Sequence, residues 1–227
     1  MSALNFSIHP SVRALGVRGA FAVVEGVRNH VQPTGLPGLR AHLRQRLARE
    51  LLPGFIETDP VLAGFRALHD AVGRANRRFP ASAEALVSLY LRKGIIPEIS
   101  PVVDIYNTVS LETRLSLGAH DLHEVRGNID LRLTNGTECF VPLGATAPEP
   151  VPAGEYAYVD HDGEILCRLE HRQCERTRVT STTRAVFCIL QGHAGTDRAM
   201  IEAALARWVD LTTGLCGGRL TESWIIA

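Results

Sequence analysis

The sequence predicts an α+β fold, on three observations. The first half carries apolar residues at helical spacing behind cap-and-proline starts. From Gly127 the period shortens toward two. Helices and strands do not alternate in the βαβ rhythm of a doubly wound sheet.

Taken in order, Val12 to Val27 is a run of β-branched and small residues broken by Gly16, Gly19 and Gly26, which predicts a strand near Ala20 to Val24. After Pro33, Gly35 and Pro37, Leu39 to Leu52 places Leu39, Leu43, Leu47 and Leu51 at fourfold spacing, an amphipathic helix ended by Pro53-Gly54. Asp59-Pro60 is a cap followed by proline, predicting a helix from Pro60 to about Arg77 that buries Leu62, Phe65, Leu68 and Val72. Ser82 is placed to cap a helix from Ala83 to Lys93, stopped at Gly94. Ser100-Pro101 repeats the start signal for a helix carrying Val102, Val103, Tyr106, Val109 and Leu111.

Past Gly127, NIDLRL, CFVPL and AYVDHDGEILCRL predict strands, with Asp162-Gly163 as a hairpin turn. Thr196-Asp197 opens a last helix with Met200, Ile201, Ala204, Trp208 and Leu211 on its apolar face, and LTESWII closes the chain as a strand.

The chain has 227 residues, 45% hydrophobic and 21% charged, an ordinary globular composition large enough for a substantial core. One compact domain over 1–227 is expected, with 1–80 as a loosely attached N-terminal extension and 82–227 as its main body. No run approaches the ~20 apolar residues of a membrane span, and the N-terminus lacks the basic-then-apolar order of a secretory signal, so a cytoplasmic protein without a membrane partner is expected. Five cysteines at scattered spacings form no C-x-x-C pair and predict buried reduced thiols, with no metal site and no cofactor. A formal net charge of +0 excludes nucleic-acid binding by bulk electrostatics, so any RNA contact is local, and no DNA partner is expected. Neither GVRG at 16–19 nor CGG at 216–218 is a phosphate loop.

The run PVVDIYNTVSLETRLSLGAHDL, followed by GNIDLRL, resembles the B3/B4 domain of the bacterial phenylalanyl-tRNA synthetase beta subunit, in which a V-V-D-x-x-N helix leads through L-G to a short loop ending in Asp-Leu. GEYAYVDHDGEILCRLEHRQCERTRVTSTT is similar to the later part of free-standing B3/B4 proteins. The resemblance covers most of the chain. It implies a central β-sandwich of unusual topology flanked by helices, and a tRNA-linked role, since that domain hydrolyses the ester of tRNA mischarged with tyrosine. It implies no ligase activity, because nothing here resembles a synthetase active-site domain.

Such hydrolysis needs a positioned water, donors for the developing oxyanion and a pocket that reads the amino acid. Asn107 falls on the motif's asparagine, where an amide can hold a substrate amino or carbonyl group; the alternative is a helix-end hydrogen bond. Tyr106 stands where the synthetase has threonine, and Gly118 where it has a histidine, leaving His120 in the loop as the second catalytic candidate. The synthetase's tyrosine-reading glutamate aligns with Cys188 or Ile189.

In its place the chain offers a polar cluster that includes Glu155, Arg168, Glu170, Arg172, Thr180 and Thr183 as candidate substrate-binding residues. On one strand, Arg168, Glu170 and Arg172 would face one way as an ion-paired array, toward a ligand or toward solvent. The expectation is a tRNA-binding B3/B4 protein that meets the aminoacyl end and deacylates mischarged tRNA in trans. The alternatives are a non-catalytic RNA-binding module or a binder of a free amino-acid-like molecule.

Overall fold

The structure, a computed structural model, describes residues 4–74 and 78–226. Among the described residues the chain runs β1 (Phe6–Ile8), α1 (Pro10–Ala14), β2 (Arg18–Glu25), α2 (Leu36–Glu50), α3 (Phe55–Thr58), α4 (Pro60–Ala71), α5 (Ser82–Lys93), α6 (Pro101–Thr113), β3 (Ser116–Asp121), β4 (Ile129–Leu133), β5 (Tyr156–Asp160), β6 (Ile165–Arg168), β7 (Arg172–Gln173), β8 (Ala185–Gly192), α7 (Arg198–Leu211) and β9 (Arg219–Ile226). One sheet has the order β1-β4-β5-β6-β7 and the other β3-β8-β2-β9. Within them only β1 and β4 run parallel. The fold is α+β, as the pattern of elements predicts.

Strand alternation builds the layers. On β2, Phe21 and Val23 point between the sheets toward Phe6, Tyr158, Phe187 and Ile189. Ala20, Ala22 and Val24 point the other way, onto Val102, Ile105 and Val109 of α6 and Ile201 and Trp208 of α7. The result is sheet on sheet with helices on the outer face of the four-stranded one. Phe21 and Phe187 stack with centroids 6.2 Å apart at 9°, close to the sandwich centre. A third cluster joins Leu43 and Leu47 of α2 to Val87 of α5 and Leu111 of α6.

Several elements depart from expectation. The N-terminal segment is no loose attachment: β2 pairs with both β8 and β9 and is buried over Gly19–Val24. The fully buried strand β8 is absent from the sequence reading, because AVFCILQG is buried on both faces and so carries no alternation. Ser116–Asp121, expected as a loop, is an edge strand paired to β8. CFVPL forms no strand, only isolated bridges at Cys139 and Pro142. Ser82 is the first residue of α5 rather than its cap, Ala81 holding that position. Helix α4 ends at Ala71; the remainder of its expected span includes 75–77, outside the described residues.

Cys139 is exposed, while the other four cysteines are buried and unbridged. No helix among the described residues is long and apolar enough to cross a membrane.

Candidate functional site

A cavity of about 390 Å³ opens between α5, α6, the free edge of β3 and the β6–β7 hairpin. Four features of the chain shape it. Positions 82, 85, 86 and 89 of α5 share one helix face and form a wall. Helix α6 contributes Val103, Tyr106 and Asn107 from its first two turns. Strand β3 contributes Ser116, Leu117 and Gly118, and the hairpin contributes Cys167, Glu170, His171, Arg172 and Gln173. Leu86, Leu89, Ile99, Val103, Leu117 and Ile189 make the walls largely apolar.

Helix α6 is held rigidly where it meets the cavity. Asp104 accepts from the Ile99 amide at 2.7 Å and pairs with Arg40 of α2, tying the helix to its neighbour. The helix ends on Arg114 in the left-handed region, φ 64°, with its guanidinium on Glu50 at 2.7 Å and 5.0 Å from the Phe55 ring centroid.

Three polar groups on the cavity wall have no protein partner among the described residues. The Asn107 amide is buried and forms no side-chain hydrogen bond, and neither does the hydroxyl of half-buried Tyr106. Burial raises the Tyr106 pKa, with Asp104 adding to the effect, so its hydroxyl stays neutral and can donate. Ser116, 3% exposed, has a buried hydroxyl with no partner. An unsatisfied buried hydroxyl costs about 1–3 kcal/mol. Ser116 is the one of the three with a fully buried unpaired hydroxyl; the Asn107 amide and the Tyr106 hydroxyl are unpaired on the same cavity wall.

Glu170 is the cavity's acidic group and the hub of a buried network. Its Oε1 lies 2.5 Å from His69 Nε2, and its Oε2 accepts from Tyr156 at 2.6 Å and from Gln191 Nε2 at 2.7 Å. Tyr158 donates to Gln191 Oε1 at 2.7 Å. Burial disfavours a charged His69, but the Glu170 hydrogen bond and charge outweigh it and raise the His69 pKa above 6.5. The carboxylate is delivered by Leu169, whose φ of 49° is in the left-handed region, costly for a side chain of that size. That turn reverses the chain, so Arg168 and Arg172 become register partners across a hairpin. The expected single strand with Arg168, Glu170 and Arg172 on one face is therefore corrected to a hairpin with Glu170 at its tip.

Of the sequence-derived candidates, the cavity brings together Tyr106, Asn107, Glu170 and Arg172. Arg172 is exposed, donates to the Leu143 carbonyl at 2.8 Å and has no acidic partner among the described residues.

The other candidates do not line the cavity. Arg168 and Glu155 form a fork with hydrogen bonds of 2.5 and 2.7 Å, Arg74 is the carboxylate's second cation, and Arg168 lies over the Phe79 ring. Thr183 donates to Asp121 at 2.6 Å and accepts from the Thr180 amide, closing a turn. His120 is fully buried on β3, 2.7 Å from Thr177 Oγ1, and burial, helped by Arg176, pulls its pKa to about 3.

Sequence reasoning missed Ser116, Gln173 and the α5 wall. Gln173 fills the space beside Gly118: a Cβ there would sit 2.3 Å from Gln173 Nε2. This position aligns with the synthetase histidine, so a glutamine amide occupies the room beside it. The Cys167 thiol is pushed up by burial and by Glu170, which keeps it protonated and a poor nucleophile. No group of three or more His, Cys, Asp or Glu residues is placed to hold a metal among the described residues.

Two stacked sheets, a helical layer and a largely apolar cavity with a few polar groups beside an edge strand define an α+β module. The family model of the B3/4 domain matches residues 67–217, and the chain belongs to that family. Among solved structures, an N-terminal fragment of the phenylalanyl-tRNA synthetase beta-subunit from Pyrococcus horikoshii is similar, with a TM-score of 0.52 and 15% identity. The match covers 97% of this chain and 51% of that one, so the chain spans about half the length of that structure; at this identity the likeness is one of fold. No curated protein matches the sequence.

Proposed function

We propose that this protein binds the aminoacyl end of tRNA and hydrolyses a misacylated ester in trans, with the ester in the cavity between α5, α6 and β3. The observation that carries the reading is the set of unpaired polar groups on one apolar cavity, the Asn107 amide, the Tyr106 hydroxyl and the Ser116 hydroxyl. The tRNA connection rests on family membership and on the fold shared with the synthetase fragment.

Asn107 orients the acyl group, Tyr106 donates to an oxygen of the ester, and Arg172 meets an anionic part of the ligand. Glu170 is engaged by three donors. His120 is buried off the cavity, where it holds Thr177. Catalysis then rests on positioning of a water and electrostatic stabilisation, and the base available to that water is half-buried His171 on the cavity wall. Its Nδ1 faces the Pro80 carbonyl at 2.9 Å, its Nε2 has no hydrogen-bond partner among the described residues, and burial lowers its pKa so that the ring is neutral.

The engagement of Glu170, the cavity's acidic group, by three donors favours a second reading, an RNA-binding module that captures the aminoacyl end without turnover. A panel of tRNAs charged correctly and incorrectly with labelled amino acids separates the two. Selective loss of label from mischarged species supports hydrolysis. Retention of bound, intact aminoacyl-tRNA supports capture, and neither binding nor release contradicts both.

A further inference from the structure

The cavity reading leaves unexplained a set of cations on α2 and α5. Arg44 and Arg49 of α2, and Arg92 and Lys93 of α5, are exposed and have no acidic partner among the described residues. Their helices are not short of acids by accident of pairing alone. Glu50 already holds Arg46 and Arg114, Glu98 holds Arg40, and Glu84 pairs with Arg66. Every one of these carboxylates is committed, and the four cations remain. Exposed cations without an acidic partner among the described residues also occur elsewhere, at Arg13 and Arg184, so it is position beside the cavity wall that sets this group apart.

The two helices are joined. Leu43 and Leu47 pack in one cluster with Val87, and Tyr90 of α5 donates to the Arg44 carbonyl at 3.3 Å. Helix α5 is also the cavity wall, through 82, 85, 86 and 89. Continuing that stripe by three and four residues reaches Arg92 and Lys93, so the helix face that lines the cavity leads to two of the four cations. Ile99, 67% exposed, lies on the cavity rim just beyond this helix end.

We propose that the α2–α5 face is an RNA-docking surface that takes the phosphates leading to the aminoacyl end, Arg44, Arg92 and Lys93 being its contacts, while Arg49, five residues on from Arg44, lies on another side of α2. This deepens the reading above and rests on it for the identity of the polyanion. Helix α2 precedes the family-matched region at 67–217, so the surface combines a family element with one outside it.

The test is binding of a hairpin RNA with a single-stranded 3′ overhang, followed by anisotropy across a KCl series. It compares the wild-type protein, the R44Q/R92Q/K93Q variant and a control, R13Q/R126Q/R184Q, that removes three exposed arginines elsewhere. Loss of three phosphate contacts makes the slope of log K against log salt shallower by about 2–2.7, since each contact contributes roughly 0.7–0.9. The expected result is that shift in the face variant, with a control slope close to wild type.

Equal shifts in both variants, or none in the face variant, overturn the proposal. So does binding to anionic lipid vesicles in place of RNA. Absence of RNA binding by the wild type overturns the proposal together with the tRNA reading. Face-dependent RNA binding without ester release from any charged tRNA supports the proposal and overturns only the hydrolytic reading.

Discussion

Glu170→Gln tests the buried network that delivers the cavity's acidic group, and the structure fixes both the size and the pH dependence of its effect. Oε2 accepts two donors, Tyr156 and Gln191, so the amide oxygen of the variant must stay on that side. The new amide N–H₂ then faces His69 Nε2, which becomes an acceptor only when His69 is neutral. The variant loses the charge-assisted bond and keeps the other two in weaker form. Breaking a buried pair costs about 3–5 kcal/mol and a charge-assisted bond is worth about 1.5–3, so a loss of roughly 3 kcal/mol is expected near pH 6.

The His69 pKa is raised in the folded protein, so its contribution is fully present below 6.5 and is lost as pH rises through the folded value. In the variant a neutral ring is required, and the dependence reverses. Urea denaturation of both proteins near pH 6 and near pH 8.5 reads this directly, and the stability difference should shrink by at least about 1 kcal/mol at the higher pH. A difference below about 1 kcal/mol near pH 6, or one independent of pH, would refute the reasoning.

Further predictions follow from the same geometry. Glu155→Gln leaves buried Arg168 short of its carboxylate and should cost about 3 kcal/mol, a fall in Tm of about 6–12 °C for a chain of this size. Burial raises the Glu155 pKa but Arg168 and Arg74 more than offset it, so its stabilisation is present above 4.5 and fades as pH falls through the lowered folded value; the variant should lack that acid-side loss in a pH–Tm series. His120→Gln should leave ester release within about threefold of wild type, with no inflection near 6.5 in its pH–rate profile traceable to this ring, because the ring is neutral and off the cavity. Gly118→Ala meets only the far end of the Gln173 side chain, so its cost should stay below about 1 kcal/mol in the same denaturation assay.

The sequence made the helices legible where start signals and period agreed. Asp59 caps α4 through the Leu62 amide at 2.9 Å, Asp197 caps α7 through the Met200 amide at 2.7 Å, and Pro101 opens α6. Strands were legible where β-branched and small residues run between glycines, as on β2, where one face differs from the other, or where a turn marks them, as at Asp162-Gly163. Strand β8 escaped because both faces are buried, and β3 because Ser-Leu-Gly-Ala-His-Asp carries no β-branched residue; each is defined by pairing with distant chain.

The candidate site divides in the same way. Asn107 and Tyr106 stand in a local motif on one helix. Ser116 and Gln173 enter the cavity through the registers of β3 on β8 and β6 on β7, which no local pattern encodes. Arg168 was placed with Glu170 by counting alternate residues, and the left-handed Leu169 breaks that count.

The central claim is that unpaired groups on the cavity wall position an aminoacyl ester for hydrolysis. The most direct measurement is single-turnover release of the amino acid from mischarged tRNA by the wild-type protein and by Asn107→Ala, with tRNA binding and thermal stability recorded in parallel. The Asn107 amide makes no hydrogen bond to the protein among the described residues, so its removal should change stability by less than about 1 kcal/mol. Release should slow about 10²–10³-fold, as for loss of an oriented donor. Release at the wild-type rate by a folded Asn107→Ala protein, or no release by the wild type above the uncatalysed rate, would contradict the account.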